Sequence, residues 1–142
     1  DSNLLNTLNS LSYYKTVPPK SLGREWVEKE ILPMLGFVNL SRKDILATFC
    51  EHIAIQIAAC VSSDPDKSML ITGGGAFNLF LIKRIAAHTH IKLIIPDADI
   101  INFKEALVFA FLGLLRMNKQ PNCLSSVTGA SHSVSGGAIY LP

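Results

Sequence analysis

Three features of the sequence predict a helix-rich α/β fold whose short parallel strands are covered by helices. Met69-Leu70-Ile71-Thr72 is a short unbroken apolar run that suits a parallel strand buried on both faces, and residues 91–95 read as a second buried-type strand. Between them Gly73-Gly74-Gly75 interrupts the chain, and residues 78–88 resume helical spacing through Leu81, Ile82, Ile85 and Ala86. The order is strand, glycine turn, helix, strand, which is one βαβ module. The third feature is size: 142 residues, 49% of them hydrophobic, fit a single domain, residues 1–142, with enough apolar side chains for a core.

The remaining elements can be taken in chain order. Leu4, Leu5, Leu8 and Leu11 fall at helical spacing over residues 3–11, and Pro18-Pro19 closes that segment. Ser21 is the expected cap of a second short helix carrying Val27 and Ile31, which should end at Pro33 and Gly36. Ser41-Arg42-Lys43-Asp44 resembles a capping box with Asp in the acidic place, and the helix it opens should run to about Val61. Asp44, Thr48 and His52 make a polar stripe on its first half, and from Ile53 onward it is apolar nearly all round. Residues 62–66 read as a turn. Pro96 ends the second strand, with Asp97 and Asp99 read as part of a turn, and Asn102 with Glu105 offers the next helix start. Residues 106–117 are apolar on every side, with Gly113 allowing another helix to approach. Residues 122–137, rich in Ser, Thr and Gly, read as a loop, and Ala138-Ile139-Tyr140 as a terminal strand. Two or three strands form a narrow sheet, while the helices could cover more sheet than the sequence supplies. The pattern therefore predicts a missing N-terminal portion, and the absence of an initiating Met points the same way.

Composition excludes several classes of partner. Charged residues are 17% of the chain and the formal net charge is +2, which leaves no electrostatic footprint for nucleic acid or an acidic membrane surface. Mean hydropathy is +0.32, yet the apolar runs at residues 53–61 and 106–115 are too short to span a bilayer. No basic segment followed by an apolar one opens the chain, so no secretory signal is read. Cys50, Cys60 and Cys123 have no CxxC spacing and no clustering with histidine; buried, reduced thiols in a cytoplasmic protein are expected, and no metal site.

Thr72-Gly73-Gly74-Gly75-Ala76-Phe77-Asn78 is the most informative segment, because glycines between a buried strand and a helix let a ligand approach bare backbone near the helix N-terminus. No Gly-Lys-Ser/Thr follows, so it is not a Walker A loop. Gly73, Gly75 and Asn78 imitate a dinucleotide-binding fingerprint with Asn in the last place, and Asp97 lies about where its ribose-binding acid belongs. Against a Rossmann module, the last glycine is replaced by a larger side chain and long helices precede the strand. A tight turn without any ligand is the plainer alternative.

Four motifs occur in order: Pro19-Lys20-Ser21-Leu22-Gly23-Arg24-Glu25, the glycine segment 72–78, Glu105-Ala106-Leu107-Val108-Phe109-Ala110, and Ser126-Val127-Thr128-Gly129-Ala130. Together they resemble the anhydro-N-acetylmuramic acid kinase family, over most of the chain. Leu22 departs from the family's usual Thr and Ser125 from its usual Pro. The resemblance implies the C-terminal lobe of an actin-like, ribonuclease-H-like sugar kinase, whose N-terminal lobe lies outside this chain. It further implies that ATP, with Mg²⁺, sits in a cleft, and that Thr72, Gly73, Gly74, Gly75 and Asn78 supply its adenosine side. The family phosphorylates 1,6-anhydro-N-acetylmuramic acid while water opens the anhydro ring, giving N-acetylmuramic acid 6-phosphate in cell-wall recycling. Its catalytic aspartate and phosphate loops lie upstream of the matched region, so no catalytic residue is assigned here. Expected partners are the sugar, the N-terminal lobe and a second copy in a homodimer.

Glu105 has two readings: the carboxylate of a capping box after Asn102, or, as the resemblance implies, an acceptor for sugar hydroxyls. Lys20 and Arg24 flank Gly23 in a Pro-led loop and could meet a phosphate or the sugar's lactyl carboxylate, or be ordinary surface charges. Ser126, Thr128, Gly129 and Ser131 could line the cleft or be a solvated loop. A non-catalytic remnant of the fold is the competing class of function.

Overall fold

A computed structural model describes residues 1–17, 20–36, 38–61, 64 and 66–140. By contact, the chain forms two compact units: Asp1–Ile71 with Gly75–Ile95, and Thr72–Gly74 with the chain from Pro96 onward.

In the first unit, α1 (Ser2–Asn9) is the helix expected over residues 3–11, and α2 (Ser12–Lys15) is a further short helix after it. Leu4 and Leu8 of α1 are buried with Ile31, and Leu11, Trp26, Val27, Ile45 and Phe49 pack against them. Full burial of a leucine contributes about 1.5–3 kcal/mol, so this leucine pair is what fixes α1 in place. The Pro18-Pro19 stop lies outside the described residues.

The next helix departs from expectation at its start and in its middle. Gly23, not Ser21, precedes α3 (Arg24–Trp26), with no side-chain cap. The chain then widens into a π-helical turn, Val27–Ile31, before α4 (Leu32–Leu35), and Leu32 N–H reaches back to Val27 O. Pro33 has no N–H to donate and its ring crowds the preceding turn, so widening that turn lets the helix pass the proline. The helix stops at Gly36 as predicted.

Ser41 caps α5 (Arg42–Cys60), its hydroxyl accepting from Asp44 N–H at 3.1 Å. Asp44 does not complete a capping box, because its Oδ2 accepts from the Ser41 hydroxyl (2.7 Å) and not from the Ser41 backbone. The polar stripe is not solvated along its length: Thr48 and His52 are buried, with His52 only 4% exposed. Asn9 Oδ1 accepts from Gln56 Nε2 (3.0 Å) and His52 Nδ1 (2.6 Å), making Nδ1 the protonated nitrogen and leaving Nε2 to accept from the Tyr14 hydroxyl (2.9 Å). Both ring nitrogens of a buried imidazole are thereby satisfied, and α1 and α2 are tied to α5.

Burial holds the His52 pKa below 6.5. Unfolded His52 takes up a proton more readily than folded His52, so its contribution to stability is complete above about pH 6.5 and is lost as pH falls through and below that value. Urea midpoints should decline from pH 7.5 to pH 5.5. In His52→Gln that part of the decline should disappear, and an identical pH slope in the variant would rule this network out as its source.

β1 (Ser68–Leu70) and β2 (Lys92–Ile94) form a two-stranded parallel sheet in the register Ser68↔Lys92, Met69↔Leu93, Leu70↔Ile94. Between them lie a 3₁₀ turn, Gly74–Phe77, and α6 (Leu79–His88), so the βαβ module is as predicted. The strands are not buried on both faces: Met69 and Leu93 are half-buried, whereas Leu70 is 59% exposed and Ile94 and Ile95 are exposed. Alternation of the pleat sends every second side chain to a face that nothing among the described residues covers.

In the second unit, α7 (Ala98–Met117) begins at Asp97, whose Oδ1 accepts from Ile100 N–H at 2.9 Å. The expected start at Asn102 is therefore wrong: an aspartate three residues after the strand caps the helix, and Asp99 lies in its first turn. Phe103, Leu107, Phe109, Phe111, Leu114 and Met117 on α7 are all exposed, Phe109 by 70%. A Cβ placed on Gly113 meets nothing within 4 Å, so the expected close approach is not made among the described residues. Residues 122–137 are more organised than a free loop. Cys123 and Val134 form an antiparallel bridge, Asn122 Oδ1 accepts from Gly136 N–H (2.7 Å), and α8 (Ser125–Thr128) ends on left-handed Gly129. Residues 138–140 form no strand.

Candidate functional site

The glycine segment is shaped by local backbone chemistry. Gly73 has φ +80°, a left-handed conformation that a side chain would strain, and it turns the chain out of the strand into the 3₁₀ turn. Asn78 then caps α6, its Oδ1 accepting from Leu81 N–H at 3.1 Å while its own N–H donates to Gly75 O at 3.1 Å. The result is a bare-backbone approach to the N-terminus of a ten-residue helix, where unpaired N–H groups and the helix dipole favour negative charge.

Space over this segment is open. A Cβ on Gly73, Gly74 or Gly75 would meet no atom of the described residues within 4 Å. Among the described residues Thr72 Oγ1 is buried without a hydrogen-bond partner, an arrangement that costs about 1–3 kcal/mol unless something satisfies it. Glycines are not needed here to make room for the protein's own packing.

α6 is anchored from the opposite end by a cluster that sequence reading missed. Arg84 grips Glu51 of α5 through Nε and, at 2.8 Å, Nη2, and His88 Nε2 lies 2.8 Å from Glu51 Oε1. Arg84, chiefly through its hydrogen bond, holds the Glu51 carboxyl at about 2, well under the ordinary carboxylate value. The available signal was the four-residue spacing of Arg84 and His88 on one face of α6.

The other candidates are placed as follows. Glu105 is exposed on α7, beyond its first turn, so the capping reading is excluded and its carboxylate faces outward. Lys20 donates to Tyr13 O (3.1 Å) and sits over the Tyr13 ring (4.8 Å), and Arg24 pairs with Glu28 at 2.7 Å on the surface. Both cations are used locally, as ordinary surface charges are. Ser126 and Ser131 are exposed, and the Thr128 hydroxyl donates to Leu124 O at 3.0 Å, a helix-interior role. Asp97, the acid that a dinucleotide fold would direct at ribose, is engaged at the start of α7. Among the described residues no three of His, Cys, Asp or Glu come together, and no helix is long and apolar enough to cross a membrane.

Comparison with known proteins gives one family. The model of the anhydro-N-acetylmuramic acid kinase family matches residues 1–142. The anhydro-N-acetylmuramic acid kinase of Crocosphaera subtropica is 36% identical over 142 residues, covering 92% of this chain and 37% of that protein. Those of Vibrio vulnificus (35%, covering 96% of the chain and 39% of the relative) and Vibrio cholerae (33%, 98% and 40%) are similar in the same way. The chain thus spans about two fifths of the length of the curated relatives it matches. A match along its whole length establishes that this chain belongs to the anhydro-N-acetylmuramic acid kinase family.

Proposed function

We propose that the chain is the C-terminal lobe of an actin-like sugar kinase that phosphorylates 1,6-anhydro-N-acetylmuramic acid with opening of the anhydro ring, in the cytoplasm, as a step of cell-wall recycling. On this reading ATP with Mg²⁺ is the phosphoryl donor, and this lobe holds its adenosine side through Thr72, Gly73, Gly74, Gly75 and Asn78. The observation that carries it is the open glycine floor: left-handed Gly73, three glycines whose missing side chains would meet nothing, and the orphan Thr72 hydroxyl beside them. Backbone N–H groups at the start of α6 suit the negative charge that a nucleotide carries. The exposed apolar side chains of α7 support a partner in the N-terminal lobe of the same enzyme, since surfaces of this kind mark interaction sites. Homodimerisation through this lobe is part of the proposal.

Titration calorimetry of the complete enzyme with ATP and with NAD tests the reading. Saturable ATP binding with none for NAD is expected; preference for NAD would replace it with a dinucleotide-binding module.

Glu105 is proposed to accept hydrogen bonds from sugar hydroxyls, because its carboxylate is exposed and free of any capping duty. Glu105→Gln should lower kcat/KM for the sugar about tenfold or more at an unchanged melting temperature, the loss of one charge-assisted hydrogen bond. Unaltered kinetics would remove Glu105 from the site.

A further inference from the structure

The strong polar contacts that join α5 to α6 gather on one carboxylate. Arg84 and His88, one turn apart on α6, both reach Glu51 of α5: Arg84 binds Oε2 through Nε and Oε1 through Nη2 at 2.8 Å, and His88 Nε2 lies 2.8 Å from the same Oε1. The Glu51 side chain is sheltered, at 22% exposure. At the other end of α6 the tie is weak: among the described residues it is Asn78 Nδ2 against Cys50 Sγ at 3.7 Å, a poor acceptor. Between the two ends the buried side chain of α6 is Ile85, and apolar packing resists separation without preferring a direction. A two-pronged guanidinium–carboxylate pair does prefer one. Glu51 therefore sets how far α6 is rotated about its own axis, and the second contact, a turn further on, sets its tilt.

We propose that Glu51 is a positioning residue for nucleotide binding: through Arg84 and His88 it holds the rotation and tilt of α6, and so aims the N–H groups at the start of that helix. The proposal rests on the nucleotide reading above and adds a residue that acts from the far end of the helix. α6 is a hydrogen-bonded rod of ten residues, about 15 Å long, and Arg84 stands about 9 Å along it from Asn78. Rotation at Arg84 is delivered in full at the cap. A turn of about 20° moves a Cα on the helix cylinder by about 0.8 Å. That exceeds the span of roughly half an ångström over which an N–H···O bond keeps a favourable length.

The test measures ATP and sugar binding by the complete enzyme, well below its melting temperature. Glu51→Gln and Arg84→Gln should each raise the Kd for ATP about tenfold, ~1.4 kcal/mol. The kcat at saturating ATP and the KM for 1,6-anhydro-N-acetylmuramic acid should stay within about twofold. The double variant should be no worse than either single one, because the pair acts as a unit. A purely structural role would lower the melting temperature and the fraction of active protein, and leave the Kd of the folded fraction where it was. Unchanged ATP affinity in Glu51→Gln overturns the proposal, as does an equal loss of sugar affinity. Additive losses would mean that Arg84 does not act through Glu51, and overturn it too. Should a glutamine variant fail to fold, Arg84→Lys, which keeps the charge and loses the fork, decides: a Kd for ATP raised about threefold or more supports positioning, and an unchanged one overturns it. ATP affinity that falls in Gly74→Val and not in Glu51→Gln overturns this proposal alone, whereas no ATP binding by the unsubstituted enzyme rejects the nucleotide reading and this proposal with it.

Discussion

Incubated with ATP, Mg²⁺ and 1,6-anhydro-N-acetylmuramic acid, the 142-residue chain by itself is expected to form no detectable sugar phosphate. Phosphoryl transfer is catalysed mostly by positioning and by charge placed around the transferred group, with a residue that prepares the nucleophile. On the proposed reading the residue that prepares the nucleophile and the loops that hold the phosphates belong to the N-terminal lobe, and two acids near the glycine segment have structural duties here. Asp97 caps α7, Glu51 is held by Arg84, and no three metal-ligating side chains meet among the described residues. General acid–base catalysis is worth about 10²–10⁴ in rate, and each lost stabilising donor about 10²–10³ more. The product of such factors takes the rate below assay. Adding a separately expressed N-terminal lobe should restore turnover, whereas robust turnover by the chain alone would place the chemistry on residues that are not recognised here.

Gly74→Val should raise the Kd for ATP about 100-fold in the complete enzyme, equivalent to ~2.7 kcal/mol, with little change in melting temperature. The two halves of that expectation have separate causes. Gly74 does not share the left-handed φ of Gly73, and an added Cβ meets nothing, so the fold tolerates a side chain there. The same empty space is where the nucleotide is proposed to lie against backbone, so the isopropyl group would occupy the ligand's position. Gly73→Val is a poorer probe, because strain at φ +80° would destabilise the turn whether or not a ligand binds. Unchanged ATP affinity in Gly74→Val would contradict the assignment of this turn.

How far the sequence reached depended on whether a feature is local. The βαβ order, the Ser41 cap and the glycine turn were legible, since each is written in neighbouring residues: an apolar run, a hydroxyl before a helix, glycines between two periods. The start of α7 was misplaced because Asn102 with Glu105 imitates a capping pair, while Asp97, the actual cap, stands among residues that read as a turn. Passage of the helix through Pro33 depends on a π turn that no propensity announces. The contacts that fix α1, α2 and α6 to α5 were invisible for another reason. His52 is tens of residues from Asn9 and Tyr14, as Arg84 is from Glu51, and only packing brings them together. In the candidate site, the residues of the turn were legible from spacing, but the orphan Thr72 hydroxyl required coordinates.

Amide hydrogen exchange of the complete enzyme, with and without ATP, tests most directly whether this lobe holds the nucleotide through backbone. Slowed exchange concentrated in residues 73–81, covering the glycine turn and the first turn of α6, is the predicted result; unchanged exchange there at saturating ATP would contradict the account.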